Sequence, residues 1–356
     1  MNLEAGIAAM KKERSALFDN IKALMLILVA VGHTVHVYIP SEDSLFRYIM
    51  QYIYLIHMPV FSFVTGFFSK NPVKARSTAV RSVLVPYVSL QGLYCVMAVL
   101  LILAGKASFN AQTFRASVLL PTSPLYYLLC VFFWKVFLKD LSSLRFPIAS
   151  SVIMGVLISL VDSSEYHIAY GSVFSLMPFF LLGFYCTREQ VDKIRRIPRI
   201  FAVCVLVLAV APAVLLPYSF RNTRFTYRDV SLGPAAGMGY RLLYYMIAFC
   251  MIAVTINLAA EKRTVLSRIG ENALIVYAGS SFLAPHLYIL IANGLHLADR
   301  MWLNLACIVL FSVLICFLLS FKWEMKLFLR MMGLLNGILF RDGPGERKCI
   351  DQGRRA

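Results

Sequence analysis

The sequence predicts an all-α, polytopic membrane protein with about ten transmembrane helices, and three observations support this fold class. First, 60% of the 356 residues are hydrophobic and 15% are charged, against roughly 45–50% and 25% in an ordinary soluble domain. Second, the chain contains ten separated apolar runs, most of them near the roughly 20 residues that a helix needs to cross a bilayer. Third, positive charges collect in alternate connections, as the positive-inside rule requires.

The ten predicted helices follow the apolar runs in chain order. The fourth, fifth and sixth runs are short or interrupted by polar residues. The count is therefore defined to within one or two crossings. The predicted spans are residues 21–40, 48–69, 83–104, 124–139, 147–161, 172–187, 200–217, 239–260, 270–292 and 302–320.

The connections between the spans differ in charge. Lys and Arg collect after the second, fourth, sixth, eighth and tenth spans. Such residues stay on the cytoplasmic side in short loops, so both termini are predicted to be cytoplasmic. The opposite loops are acidic or mixed, with Glu42, Asp43, Asp162, Glu165 and Asp299. One basic group breaks the pattern on the outer side, where loop solvation and anion binding both remain open: Arg221, Arg224 and Arg228.

The spans leave no room for a separate soluble domain. We predict a cytoplasmic N-terminal segment (1–20), a membrane domain (21–320) and a basic cytoplasmic tail (321–356). Because the N-terminus lacks an early apolar stretch with a small-residue cleavage site, we expect the first helix to be an uncleaved anchor. In the tail, basic residues recur at four-residue spacing opposite Phe, Leu and Met, which predicts a helix lying on the membrane interface; they are Lys322, Lys326 and Arg330.

The positions of the charged residues argue against nucleic-acid binding, and those of the cysteines argue against a disulfide or a metal site. The formal net charge is +17, but the basic residues lie between hydrophobic runs rather than on one folded face, so we expect no nucleic-acid partner. Their loops instead favour contact with membrane lipids. Seven of the eight cysteines lie in apolar runs and Cys349 lies in the tail, without CxxC spacing. We therefore expect neither a disulfide nor a metal site.

The stretch 18–40, which contains the first span, carries four ionisable residues: Asp19, Lys22, His33 and His36. The eleven steps from Lys22 to His33 make three helical turns plus about 20°, so these side chains share one face about 16 Å apart. Asp19 lies three residues before Lys22, and His36 lies three residues after His33, which places both beside the same stripe. We expect Lys22 at the cytoplasmic end of the helix and His33 about halfway across the membrane.

The second span brings another histidine to the same depth. His57 lies twelve residues before Ser69, roughly 18 Å along an antiparallel helix. Pro59 and Gly66 would bend or thin this helix. A backbone carbonyl that loses its helical hydrogen bond at that depth must lie beside protein or a water-filled cavity. The two histidines therefore predict a polar pocket near the midplane, because buried ionisable residues usually mark functional sites. A neutral histidine that only joins two helices by a hydrogen bond is the alternative.

The two helices carry motifs of a known family. Lys22 with ten residues before His33 resembles the basic-x10-His motif of the acyltransferase-3 family of multi-span membrane acyltransferases, and Asp19 matches the acidic residue ahead of that motif. The stretch IHMPVFSFVTGFF (56–68) resembles the second-helix signature of the branch similar to fucose 4-O-acetylases, with Thr65 as its small hydroxyl residue.

Later segments extend the resemblance over most of the chain: VRSVLVPY (80–87), PLYYLLCVFFW (124–134) and GENALIVY (270–277). The chain also departs from the family pattern. Lys22 replaces the usual Arg, and the two differ where a planar bidentate contact is needed. Thr78 stands where a second Arg would precede Arg81, although Arg76 is near, and Ser280 stands near the usual late His.

The resemblance implies an O-acyltransferase in the plasma membrane, the inner membrane in a bacterium. It implies transfer from a cytosolic acyl-coenzyme A, acetyl-coenzyme A by default with succinyl or longer donors left open, to a sugar hydroxyl of a surface or lipid-linked glycan. No metal is implied. The implied residues are His33 and Asp19 for catalysis, Lys22, Arg76 and Arg81 for the coenzyme phosphates, and His57, His36 and Thr65 for the substrate pocket.

Two questions stay open at this point. The acceptor could approach from the outer side past Asp162, Glu165, His167 and Arg221, or these residues could simply be solvated. A secondary transporter of a polysaccharide precursor, with His33 and His57 as a proton relay, is the rival function. It requires no acyl-coenzyme A.

Overall fold

The computed structural model describes residues 15–38, 45–103, 121, 124–160, 170–215, 233–294 and 300–340, and these residues form helices and no strand. A π-helical turn (Val80–Leu84) precedes the helix Val85–Leu103, and a 3₁₀ turn (Ile158–Leu160) follows the helix Pro147–Leu157. In chain order the helices are α1 (Ala16–Tyr38), α2 (Leu45–Phe67), α3 (Pro72–Ala79), α4 (Val85–Leu103), α5 (Tyr126–Ser142), α6 (Pro147–Leu157), α7 (Tyr170–Tyr185), α8 (Arg188–Arg196), α9 (Arg199–Leu208), α10 (Val210–Leu215), α11 (Pro234–Leu258), α12 (Ser267–Glu271), α13 (Ala273–Gly294), α14 (Met301–Leu318) and α15 (Lys322–Leu339).

The all-helical fold is confirmed, and every predicted span coincides with a helix or a pair of helices. Within the described ranges, six helical units are long and apolar enough to cross a membrane, or seven if α7 and α8, which meet at a 97° bend, count as one. The six are α1, α2, the α3–α4 unit, α11, α13 and α14. Helices α5, α6, α7 and α9–α10 are too short to qualify by length alone. The predicted count of ten and the cytoplasmic termini therefore stay predictions.

Helix α1 is central, because it packs against α2, α12, α13 and α14. Met25, Leu26, Ala30 and Val35 on this helix are fully buried. Much of α1 is therefore held against protein. This position explains how the helix can carry the buried Asp19 and the partly buried Lys22 and His33, whereas His36 near its end is exposed.

The start of α1 is fastened to the connection between α11 and α12. The Asn20 side chain donates to the Ala260 and Lys262 carbonyls at 2.8 and 2.9 Å and accepts hydrogen bonds from the Thr264 and Ser267 hydroxyls. At Gly270, an added Cβ would lie 1.9 Å from the Asp19 carbonyl oxygen. The backbones of α12 and α1 therefore touch, which fixes the position of α1 in the bundle.

Helices α2 and α7 also meet through glycine. A Cβ added at Gly66 would lie 1.8 Å from the Phe180 carbonyl oxygen, and one added at Gly183 would lie 1.9 Å from the Phe63 carbonyl oxygen. Small residues allow such backbone approach in membrane proteins. Gly66, expected to thin α2, thus serves the contact with α7.

The tail begins with a helix, α15, at the predicted position, and Trp323, Leu327, Leu334 and Ile338 on it are exposed. The predicted domain limits and the interfacial position of this helix stay predictions. Several residues named from the sequence lie outside the described ranges: Glu42, Asp43, Asp162, Glu165, His167, Arg221, Arg224, Arg228, Asp299 and Cys349.

Candidate active site

The two predicted midplane histidines face one small cavity, here called the histidine cavity. Its volume is about 10 Å³, about the space that one water molecule needs. Helices α1, α2, the start of α5 and α13 supply its walls. The lining residues are Val29, His33, Tyr54, His57, Met58, Pro124, Tyr126 and Tyr277.

The His57 ring has a defined orientation. His57 is buried, and its Nδ1 lies 2.7 Å from the Ile53 carbonyl oxygen. A carbonyl can only accept, so Nδ1 donates, and in the neutral ring Nε2 is then the accepting nitrogen. The Tyr54 ring meets the imidazole edge-on, with centroids 4.9 Å apart. The cavity is thus bordered by a fixed imidazole on α2 and by His33, which is partly buried, on α1.

A hydroxyl and aromatic cluster lies next to the histidine cavity. Thr65 Oγ1 and the Tyr127 hydroxyl are 2.8 Å apart, and the Tyr277 hydroxyl donates to the Pro124 carbonyl at 2.5 Å. The rings of Phe61, Tyr127 and Tyr277 have centroids 6.0 to 6.3 Å apart. Thr65, expected in the substrate pocket, therefore pairs with Tyr127 beside the cavity instead of lining it. His36 is exposed and also lies outside the lining set.

Asp19 lies with Lys22 rather than with His33. The Lys22 ammonium is 2.6 Å from the Asp19 carboxylate, which is almost fully buried. The fourteen residues from Asp19 to His33 span about 21 Å of helix. The structure thus separates the two residues that the family resemblance grouped as catalytic and places Asp19 in contact with Lys22. The catalytic role of Asp19 stays a prediction.

A second, larger cavity, here called the basic cavity, lies where α2 ends and α3 begins. Its volume is about 630 Å³. Four cations and no carboxylate occur among its described lining residues, which are Phe67, Phe68, Ser69, Lys70, Asn71, Lys74, Ala75, Thr78, Lys135, Cys186, Thr187 and Arg188. Lys22 approaches it, because its ammonium lies 6.0 Å from the centroid of the Phe68 ring.

Two helices point their N-termini at the basic cavity. Asn71 caps α3 by accepting from the Lys74 backbone N–H at 2.9 Å. Thr187 and Gln190 form a reciprocal capping box on α8, at 3.2 and 2.9 Å. Helix N-termini carry partial positive charge and free N–H groups. The helix ends therefore add to the lysine and arginine charges and make the cavity suited to a phosphate-bearing molecule.

Lys70 has a different task from the other cations. Its ammonium donates to the carbonyls of Gly183, Phe184 and Cys186 at 2.9, 2.5 and 2.6 Å. An ammonium has three protons, so these bonds use all of them. Burial lowers the pKa of Lys70, and the neighbouring Cys186 partly offsets the effect. Lys70 thus caps the C-terminus of α7, while the remaining cations are left for a ligand.

Lys135 is the most enclosed of those remaining cations. It is partly buried on α5, and it forms no ion pair or hydrogen bond with any described residue. Lys135 is absent from the site residues predicted from the sequence, although a lysine inside an apolar helix is a signal of function. Lys70, Lys74 and Arg188 belong to the basic connections that follow the second and sixth predicted spans. Their convergence depends on the α2–α7 contact, which no local pattern reveals.

The two arginines expected at the coenzyme site point elsewhere. Arg76 Nη1 lies 3.4 Å from Asp140 Oδ2, and both side chains are exposed. The Arg81 guanidinium stacks 4.9 Å from the Phe340 ring centroid, at the end of α15. Neither lines the basic cavity. Arg76 on α3 instead contacts α5 through Asp140, and the predicted role of the two arginines in coenzyme binding stays untested.

Comparison with known proteins gives one match. A family model described as an acyltransferase domain matches residues 16–321, from the start of α1 to the residue before α15. No curated protein and no solved structure matches. The matched range contains every lining residue of both cavities. Within the described residues, no three of His, Cys, Asp and Glu converge as metal ligands.

Proposed function

The chain belongs to the acyltransferase-3 family of membrane acyltransferases, and from this we propose that it moves an acetyl group from cytosolic acetyl-coenzyme A to a sugar hydroxyl of a lipid-linked or surface glycan. The supporting observation is the pair of cavities along α2. The wall residues Met58 of the histidine cavity and Phe67 of the basic cavity are nine positions apart, about 13 Å along the helix. A donor with an anionic head and a long flexible arm fits this spacing.

The basic cavity supplies the donor site in this proposal. Lys74, Lys135 and Arg188 hold the coenzyme phosphates by charge-assisted hydrogen bonds, supported by the N-termini of α3 and α8. Lys22 adds charge at the edge through its contact with Phe68. Arg76 and Arg81 act in holding helices together, since their own contacts direct them to Asp140 and Phe340.

The histidine cavity supplies the chemistry. His33 takes the proton from the attacking sugar hydroxyl while the oxygen forms a bond to the thioester carbonyl carbon. The carbon–sulfur bond then breaks, and His33 returns the proton to the leaving coenzyme thiolate, so no net proton is gained or lost. An imidazole suits both steps because it titrates near neutral pH. His57, oriented by the Ile53 carbonyl, forms the opposite wall of the cavity, where the substrate is positioned.

The proposal is tested by transfer of labelled acetyl from acetyl-coenzyme A to glycolipid in membranes that carry equal amounts of each variant. His33→Ala should lower transfer about 100-fold or more, the usual contribution of a general base. His286→Ala is the matched control, because His286 is an exposed histidine of α13 outside both cavities. Activity of His33→Ala equal to that of the wild type would remove His33 from the mechanism. If the wild-type protein transfers no acyl group from any coenzyme A thioester, the proposed acyltransferase activity is refuted.

A further inference from the structure

We propose that the histidine cavity limits the length of the acyl group that the protein transfers. Met58 is the residue that restricts this length to two carbons. This inference rests on the proposed function and deepens it, because it names the residue that restricts the donor to acetyl-coenzyme A. The family alone leaves the acyl group open. Met58 is a specificity determinant here and takes no part in proton transfer.

The small size of the histidine cavity limits the length of the acyl group that it can hold. About 10 Å³ is available between His33 and His57, which is the space of one water-sized body. The methyl group of an acetyl ester is of this size, whereas propionyl and butyryl add one and two methylenes. The walls are set firmly, since Val29 is 2% exposed and Met58 is 4% exposed. A longer chain must therefore displace packed side chains.

The charge of the cavity walls limits which acyl groups can enter. Its described walls contain no lysine or arginine: five of the eight lining residues are histidines or tyrosines, and Val29, Met58 and Pro124 are apolar. A succinyl group would bring a carboxylate into this space without a permanent cation beside it. Burying an unpaired charge is costly. The cavity thus selects against succinyl by charge and against longer neutral groups by length.

Met58 is the wall residue that can set the length. The histidines have chemical tasks, and the Tyr277 hydroxyl holds the Pro124 carbonyl. Met58 has three side-chain atoms beyond Cβ and an adaptable thioether. Its backbone is held, because the Ser62 hydroxyl donates to the Met58 carbonyl at 2.9 Å. Truncating this side chain should lengthen the cavity without moving the histidines.

The test compares kcat/KM for acetyl-, propionyl-, butyryl- and succinyl-coenzyme A with one glycolipid acceptor. The wild type should prefer acetyl over propionyl by about 10- to 200-fold, the usual discrimination for one methylene. Met58→Ala should reduce that ratio at least tenfold and should admit butyryl, while succinyl stays poor. Met50→Ala is the matched control: it truncates a buried methionine of the same helix that does not line the cavity, and it should leave the ratio unchanged.

A second variant covers the case in which Met58→Ala does not fold. Val29→Ala enlarges the opposite wall on α1 and should shift the ratio in the same direction. Acetyl transfer with a chain-length profile that neither variant changes, or a wild type that uses butyryl as well as acetyl, would overturn the inference and leave the proposed function standing. A wild type that transfers no acyl group from any donor would instead overturn the proposed function.

Discussion

Lys70 and Lys135 line the same cavity, but their contacts give them opposite roles. Lys70 gives its three protons to the last carbonyls of α7, whereas Lys135 forms no ion pair with a described residue. A cation that is already fully bonded stabilises the wall, and a cation without a partner is ready for a ligand. The two lysines can therefore be separated by experiment, one through stability and one through binding.

Lys70→Met should destabilise the protein. The substitution leaves three carbonyls at the end of α7 without their ammonium donor, and two of these three bonds are partly buried. An unsatisfied polar group costs about 1–3 kcal/mol when it is buried and less where water can replace the donor, so we expect a lower melting temperature in detergent. Lys74→Met is the control and should melt like the wild type, because Lys74 is an exposed lysine of the same cavity whose ammonium donates to none of these carbonyls. Equal melting of Lys70→Met and wild type would show that the cap is not needed for stability.

Lys135→Met should weaken donor binding while the fold is kept. Removal of one charge-assisted contact to a phosphate costs about 1.5–3 kcal/mol, roughly a 10- to 100-fold rise in KM for acetyl-coenzyme A. Lys139→Met removes an exposed charge one turn further along α5, outside the cavity, and should leave KM unchanged. Identical KM values for the two variants would contradict the donor site. Thermal melting of both would verify that folding is intact.

The sequence could predict the histidines but not the full set of cations. His33 and His57 follow from helical rise and from the antiparallel order of two neighbouring helices, both of which are local rules. The Asp19–Lys22 pair follows from its three-residue spacing. Lys135, Arg188 and Lys74 come from three helices, α5, α8 and α3, and meet only through tertiary packing. No periodicity within one helix can indicate such a meeting.

At the scale of helices, the contact between α2 and α7 holds the basic cavity together. Gly66 and Gly183 let the two backbones touch, and this contact brings the end of α7 within reach of Lys70. The same helix, α2, carries His57 and Met58 near its middle. The relative position of donor site and chemistry thus depends on this one packing interface.

Gly66→Ala and Gly183→Ala should each destabilise the protein strongly. An added methyl group would meet backbone atoms at 1.8 to 1.9 Å, so the helices must separate, and overpacking of this kind costs about 1–3 kcal/mol or more. Gly92→Ala on α4 is the control, because nothing lies within 4 Å of its added Cβ. It should leave the melting temperature unchanged or raise it slightly. Normal melting of the Gly66 and Gly183 variants would contradict the close contact.

Helix α15 should lie flat on the membrane interface. Its exposed apolar residues, Trp323, Leu327, Leu334 and Ile338, accompany the basic residues of the same helix, a pattern typical of interfacial helices. The chain has three tryptophans, so Trp323 can be observed alone after Trp134→Phe and Trp302→Phe. Its fluorescence should be quenched best by lipids with a quencher near the headgroup. Best quenching by a label at the bilayer centre, or none by any lipid label, would contradict this position.

At the scale of the whole molecule, contacts between helix ends bear on the number of crossings. Asn20 joins the start of α1 to the residues after α11. Lys70 joins the end of α2 to the end of α7. Arg76 on α3 lies against Asp140 near the end of α5, and Arg195 of α8 donates to the Ile256 and Ala259 carbonyls at the end of α11. All of these helix ends therefore lie at one face of the bundle.

A common face for these ends leads us to predict that the short helices cross the membrane. In this arrangement α4, α6 and α9–α10 lead away from the face, and α5, α7 and α11 return to it. Together with the pairs α1–α2 and α13–α14, the prediction is ten crossings, although four of the helices are shorter than a usual span. A six-crossing arrangement, restricted to the long helices, would place Asp140 on the side opposite Arg76, which the 3.4 Å contact disfavours.

Single cysteines in a cysteine-free background can distinguish the two arrangements. Ser143→Cys, just after α5, should react with a membrane-impermeant maleimide only from the cytoplasmic side if ten helices cross, and only from the outer side if six do. Ser77→Cys and Arg300→Cys are controls, because both arrangements place them on the cytoplasmic and outer sides, respectively. Reaction of Ser143→Cys from outside would refute the ten-crossing topology. It would also separate Lys135, on the same helix as Asp140, from the cytosolic donor, so the topology and the donor site would fail together.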